Sequence, residues 1–175
     1  MSLYYYAMAT DIPLYLHIPM ITDNDNCVFF WWGASTVRHL GIGGKYHNLD
    51  KRIQEKYIAD PEKRWNAYKE AMKIYKSLKP YFVRGEFHGI HERAHLHTLE
   101  GVNGGVLCLF NLSEEKMKIV AEIPLEKFCL KQEAKLKISG DAVVEQMKNN
   151  VVISAELPPM SARIICIEDA INAKK

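Results

Sequence analysis

His95 and His97 stand two residues apart in HGIHERAHLHTLEG, residues 88 to 101, a stretch that holds four of the chain's seven histidines. On a strand, residues two apart point to the same face, and two imidazoles on one face are a pair that could share a metal ion. A metal needs further ligands. Glu100 is the next carboxylate downstream, and strand parity puts it on the face opposite 95, 97 and 99. No histidine follows His97, so a second ligand motif is missing. The reading is of solvent-facing histidines at the start of a strand, with no metal and no other cofactor expected.

Gly89, His95, His97 and Glu100 resemble the first metal motif of cupins, in which the glutamate falls one or two residues later; here, without a bulge, the third ligand points away. Other chemistry is scarce. Cys27, Cys108, Cys129 and Cys166 are far apart, lack a CxxC spacing and mostly lie in apolar runs, where a reduced cysteine behaves as a small hydrophobe. That usage suggests a reducing, cytoplasmic setting. Asn111-Leu112-Ser113 fits a glycosylation sequon but also ends a strand at a polar turn, and is read as the turn. The chain contains no P-loop, dinucleotide fingerprint or nucleophile elbow. The opening MSLYYYAMAT has no basic n-region and no proper h-region, so it is not read as a signal peptide.

The elements that would position these residues change character along the chain. IPLYLHI, residues 12 to 18, is β-rich without clean alternation, as suits a strand covered on both faces of a parallel sheet. Next come Thr22, Asp23, Asn24 and Asp25, a cluster of N-cap candidates with carboxylates where a helix N-terminus favours negative charge. A helix over 24–36 follows, carrying Phe29, Phe30, Trp31 and Trp32 around a nearly all-apolar circumference, which calls for burial on more than one side. Only a helix there leaves enough chain for a crossover to a second parallel strand, RHLGIG at 38–43. Asp60 then caps a helix with Pro61 in its first position. Its stripe runs through Trp65, Ala67, Tyr68, Ala71, Met72, Ile74, Tyr75 and Leu78, to a change of character near Pro80. Beyond it, HLHTLE, VLCLFNL, MKIVAEI, KLKISG, VVISAEL and ARIICIE have the period of strands, six or seven in an antiparallel sandwich.

Composition excludes several classes. The 175 residues are 48% apolar and 25% charged, ordinary globular material. Lys and Arg outnumber Asp and Glu by only 23 to 21, and are scattered, so no nucleic-acid partner is expected. The longest apolar run, Val28 to Ala34, is far short of the roughly 20 residues of a membrane span, and no membrane partner is expected.

Together, IPLYLHI, DNDNCVFFWWGASTVRHLGIGG, RWNAYKEAMKIYKSLKPYFVRGEF, VLCLFNLS and LPPMSARIICIE resemble the C-terminal portion of a β/α-barrel glycoside hydrolase of the α-galactosidase and α-amylase type. The resemblance implies an α+β chain. Residues 1–79 would be the incomplete end of a β/α barrel, two short strands and their helices, with the strands as the seventh and eighth of the barrel. Residues 80–175 would be an appended antiparallel β-sandwich. It also implies hydrolysis of glycosidic bonds by two carboxylates from middle strands that precede this sequence, so the catalytic residues are unknown and this stretch is expected to be inactive alone. Barrel sites lie at the C-terminal strand ends, which makes His17, Asp23 and Asp25, and Lys45, Tyr46 and His47, candidates for a sugar subsite. Carbohydrate is the expected partner, with self-association through exposed barrel edges. Asp23 and Asp25 have an alternative role as cap and first-turn residues, and Trp31 and Trp32 as core. The competing reading is a free-standing, non-catalytic β-sandwich that binds carbohydrate or protein.

Overall fold

A computed structural model describes residues 2–10, 14–43, 58–128 and 136–169. It is an α+β structure in which a layer of helices covers one face of an antiparallel β-sandwich and carries a parallel strand pair. Among the described residues the α-helices are α1 (Ser2–Ala9), α2 (Val28–Thr36) and α3 (Pro61–Arg84). Strands β1 (Leu14–Pro19) and β2 (Arg38–Gly43) pair in parallel, Leu14 opposite Arg38 and Pro19 opposite Gly43, with α2 as the crossover. The expected strand–helix–strand order is therefore present.

Among the described residues the sandwich has eight strands: β3 (Glu86–His91), β4 (Ala94–Thr98), β5 (Gly104–Asn111), β6 (Met117–Pro124), β7 (Leu136–Ser139), β8 (Val143–Gln146), β9 (Asn150–Leu157) and β10 (Ser161–Asp169). One sheet has the order β3-β4-β5-β10-β7 and the other β6-β9-β8, every pairing antiparallel. Sequence alternation does not reveal β3 and β8: β3 is half-buried at four successive positions and β8 is mostly exposed along its length, so neither has a buried face for alternation to mark.

Parity sorts the five-stranded sheet into two faces. Ala94, Leu96, Leu107, Leu109, Ile165 and Ile167 pack against Ile119, Ala121, Ile123, Val151, Ile153 and Leu157 of the smaller sheet, the two inner faces of a sandwich. Val106, Cys108 and Phe110, with Ile164 and Cys166, turn the other way onto Phe30, Trp31, Trp32, Tyr68, Tyr75 and Phe82 of the helices. β5 is consequently buried at all its positions. The smaller sheet is wet outside, as the alternating burial of β6 shows.

The aromatic run of α2 is thus explained by two-sided packing. Phe30, Trp31 and Trp32 are buried, and Phe29 alone of the four reaches solvent. Phe30 meets Tyr68 and Tyr75 edge-on at centroid distances of 5.7 and 5.8 Å, and Trp32 meets Phe110 at 5.0 Å, geometries that favour aromatic pairs.

α3 starts where the sequence says, Asp60 Oδ1 accepting the Lys63 N–H at 2.9 Å. Its end does not fall at Pro80: the helix continues to Arg84. A proline removes one intrahelical bond, but the extra turn buries Phe82, which stacks on Tyr75 at 5.7 Å and touches His97 edge-on at 4.9 Å. Gly85 then turns the chain into β3, and a Cβ there would collide with the Tyr81 and Thr98 carbonyls.

Candidate functional site

The loop joining β1 to α2 places DNDN, residues 23 to 26, against three other elements. Asp23 is 6% exposed. Its Oδ1 accepts the N–H of Asn24 at 2.8 Å and of Phe29 at 3.0 Å; its Oδ2 accepts the N–H of Phe30 at 3.0 Å and the Tyr68 hydroxyl at 2.6 Å. The residue at the formal N-cap, Cys27, makes no side-chain cap, so Asp23 does that work from four positions upstream. Burial, and then the Asp23 charge, push the Cys27 thiol up to about 12. They raise the Tyr68 hydroxyl well above its ordinary value as well, burial first.

Asp25 belongs to a different pair. Arg64 Nε donates to its Oδ1 at 2.7 Å and Lys63 Nζ lies 3.2 Å from its Oδ2. The Arg64 hydrogen bond is the main reason its carboxyl is held below the usual range. Arg64 Nη1 also donates to the carbonyls of Met20, at 3.0 Å, and Asp23. Asn24 Nδ2 reaches the Met160 carbonyl at 2.6 Å, with Asn26 Nδ2 at 3.3 Å from the same oxygen, tying the loop to the β9–β10 turn. Arg64 is the residue that sequence reasoning misses. Its only signal is its place on the buried side of α3, in phase with Tyr68, Ala71 and Tyr75.

His17 is exposed on β1, its ring 6.5 Å from that of Tyr15. Tyr15 is 71% exposed and leans over β2, so that a Cβ at Gly41 would collide with its hydroxyl. Of the strand-end candidates, Asp23 and Asp25 are brought together through Arg64. No hydrogen bond or ion pair among the described residues joins His17 to them. Lys45, Tyr46 and His47 lie outside the described residues.

His95 and His97 do share a face, as parity requires, but that face is not solvent: they are 0% and 2% exposed, because α1, α2 and α3 cover the sheet there. Both rings reach one hydroxyl, Ser35 Oγ, at 2.8 Å from His95 Nδ1 and 2.9 Å from His97 Nε2. His95 Nε2 lies 3.2 Å from the Glu92 carbonyl, an acceptor only, so Nε2 carries the proton and Nδ1 accepts from Ser35. Ser35 then accepts from His97 Nε2–H, giving a directed chain His97 to Ser35 to His95 to Glu92. Tyr4 of α1 stacks on His95 at 5.1 Å, while Trp32, Phe87 and Phe110 enclose it at 4.9 to 5.3 Å. Burial pushes the His95 imidazole down to about 3. Glu100 sits exposed in the turn after β4, and among the described residues no set of three His, Cys, Asp or Glu side chains is placed to hold a metal ion.

Two further motifs resolve. Asn111 is buried; its Nδ2 donates to the Glu115, Leu157 and Pro158 carbonyls at 2.7, 3.1 and 2.8 Å, and its Oδ1 accepts from the Ser113 N–H and hydroxyl. The asparagine of the sequon is thus the centre of a turn. Cys27, Cys108 and Cys166 are unpaired, and Cys129 lies outside the described residues. Among the described residues no helix is long and apolar enough to cross a membrane.

No protein-family model and no curated protein matches the chain. Among solved structures it is similar to a candidate α-N-acetylgalactosaminidase from Bacillus halodurans C-125, at 10% identity and a TM-score of 0.43, over 83% of this chain and 31% of that one. It is also similar to α-galactosidase I from Mortierella vinacea, at 15% identity and a TM-score of 0.41, over 83% of this chain and 36% of that one. The chain spans about a third of the length of these two proteins. The likeness is coarse, and at this level it carries no argument about activity.

Proposed function

We propose that this chain is the closing segment of a β/α-barrel glycoside hydrolase, the last two strand–helix units of the barrel with the C-terminal sandwich that buttresses them. The observation that carries the reading is the β1–α2–β2 unit. Its strands run in parallel register, yet among the described residues the sheet has only these two strands, and the Tyr15–His17 face of β1 is open. Parallel sheets ordinarily have both faces covered, and further strands closing a barrel would supply that cover. The glycosidase chemistry rests on resemblance of fold and motif order, an analogy rather than a geometry.

In this reading His17, with Lys45, Tyr46 and His47, lines a sugar subsite at the strand ends, and carbohydrate is the partner. Asp23 and Asp25 act on that subsite by fixing the strand-end loop, since their oxygens already hold Phe29, Phe30, Tyr68, Arg64 and Lys63. The catalytic pair belongs to other strands, and the chain alone does not turn over glycosides. The competing reading, a non-catalytic sandwich module, draws support from the helical layer being anchored on the larger sheet through one continuous core.

The test is the coding sequence upstream of the Met1 codon. Several hundred in-frame residues with repeated strand–helix units and Asp or Glu at strand ends, in a product that hydrolyses chromogenic glycosides, support the hydrolase. An unrelated upstream sequence favours the module. Turnover by this chain alone, abolished by Asp23→Asn with the fold intact, overturns the assignment of Asp23 as a cap.

A further inference from the structure

α3 has a second surface that neither the capping loop nor the histidine chain uses. Met20, Trp65, Tyr68 and Met72 floor a groove of about 520 Å3, and Lys69, Lys73 and Lys76 stand along it. Met20 and Tyr68 are buried, while Trp65 and Met72 remain half-buried and the three lysines are exposed. Lys69 Nζ lies 5.9 Å from the centre of the Trp65 ring. The lysines follow one another at i, i+4 and i+7, an arrangement in which like charges oppose each other within the helix. Among the described residues, the ion pairs of α3 are those of Lys63 and Arg64 with Asp25. Lys69, Lys73 and Lys76 form none there.

We propose that this groove docks an amphipathic helix of a separate polypeptide, with an apolar ridge for the Trp65–Met72 floor and acidic residues one turn apart for the lysine row. From Trp65 to Lys76 the groove follows α3 for three turns, about 17 Å. That suits a partner reading it at i, i+3 or i+4, and i+7. A row of one sign selects its partner by charge as much as by fit, attracting an acidic flank and repelling a basic one. Under the barrel reading, barrel elements outside this chain would compete for the same groove, and two experiments separate the claims: the peptide titration below reads the groove on this chain, and the upstream coding sequence reads the barrel.

The experiment titrates the full chain into two fluorescent helical peptides of about 18 residues. Both carry the same leucine ridge, one with glutamate flanks and the other with lysine flanks, and anisotropy is the readout. The glutamate peptide is expected to bind saturably and at least about tenfold more tightly, with the advantage shrinking as salt rises. The surface variant Lys73→Glu with Lys76→Glu, checked for an unchanged circular dichroism spectrum, is expected to reverse the order of the two peptides. Equal binding, no binding, or a preference that survives the charge reversal overturns the proposal. So does a concentration-dependent dimer dispersed by Met72→Glu, which assigns the groove to a second copy. Binding to phosphatidylserine vesicles in place of the peptide, lost in the lysine variant, assigns it to lipid and overturns it too.

Discussion

Ser35 satisfies two imidazoles with one hydroxyl, at 2.8 and 2.9 Å, in a site walled by aromatic rings. Removing it leaves an acceptor on His95 and a donor on His97 without that partner, and each such buried loss costs about 1–3 kcal/mol. Ser35→Ala is expected to lower the unfolding free energy by about 2–4 kcal/mol in urea titrations. The same cluster sets a pH dependence. Burial depresses His95 to about 3, against an ordinary value near 6.5. Between those values the unfolded chain binds a proton that the folded chain refuses. Stability is therefore full above about pH 6.5 and falls as pH drops, by up to about 1.4 kcal/mol per unit, until about pH 3. His95→Asn, which keeps an acceptor for Ser35 and does not titrate, should flatten the slope between pH 6.5 and 4; an unchanged slope places the proton elsewhere. His88, also held down by burial, leaves some residual slope. Parity was enough to put His95 and His97 on one face. Their burial was illegible, because what covers them is Ser35, some 60 residues away on α2, and Tyr4 on α1, a helix whose apolar and polar residues have no periodicity that marks it in sequence.

At the scale of elements, the boundaries set by local chemistry were readable and those set by packing were not. Asp60 and Pro61 announced the start of α3, and the strands of the sandwich core announced themselves by alternation. The end of α3 depends on Phe82 finding a pocket among Trp31, Tyr75 and His97, contacts that no local rule contains, so Pro80 looked like a stop. Similarly, Asp23 was legible as a cap, whereas Asp25, read as a cap or first-turn residue, pairs instead with Arg64, 39 residues away. Arg64 holds that loop through Asp25 and through the carbonyls of Met20 and Asp23. Arg64→Met keeps the length and packing of the stem while leaving the Met20 and Asp23 carbonyls without that donor and Asp25 with Lys63 as its remaining partner. It is expected to destabilise the chain by about 2–4 kcal/mol. Lowering the pH to protonate Asp25 should narrow the gap to the parent, because the Asp25 contribution is present above its ordinary pKa and is lost as pH falls through the depressed one.

For the molecule as a whole, three layers of unequal completeness follow from the pairings. The two sheets of the sandwich close on one another through a dry core, and the larger sheet gains a second cover from the helices. The parallel pair β1–β2 has no such enclosure among the described residues. In a two-stranded sheet, half of the strand amides point away from the only partner, and open edges of this kind are where backbone groups exchange with solvent. The most direct measurement is hydrogen–deuterium exchange of the full chain, read on peptides covering 14–19 and 38–43 and on peptides covering 104–111 and 161–167. An incomplete barrel end carried on a finished sandwich predicts that β1 and β2 exchange at least about 100-fold faster than β5 and β10. Equal protection of the two sets would make the parallel pair a finished element and contradict the reading of this chain as the closing segment of a barrel.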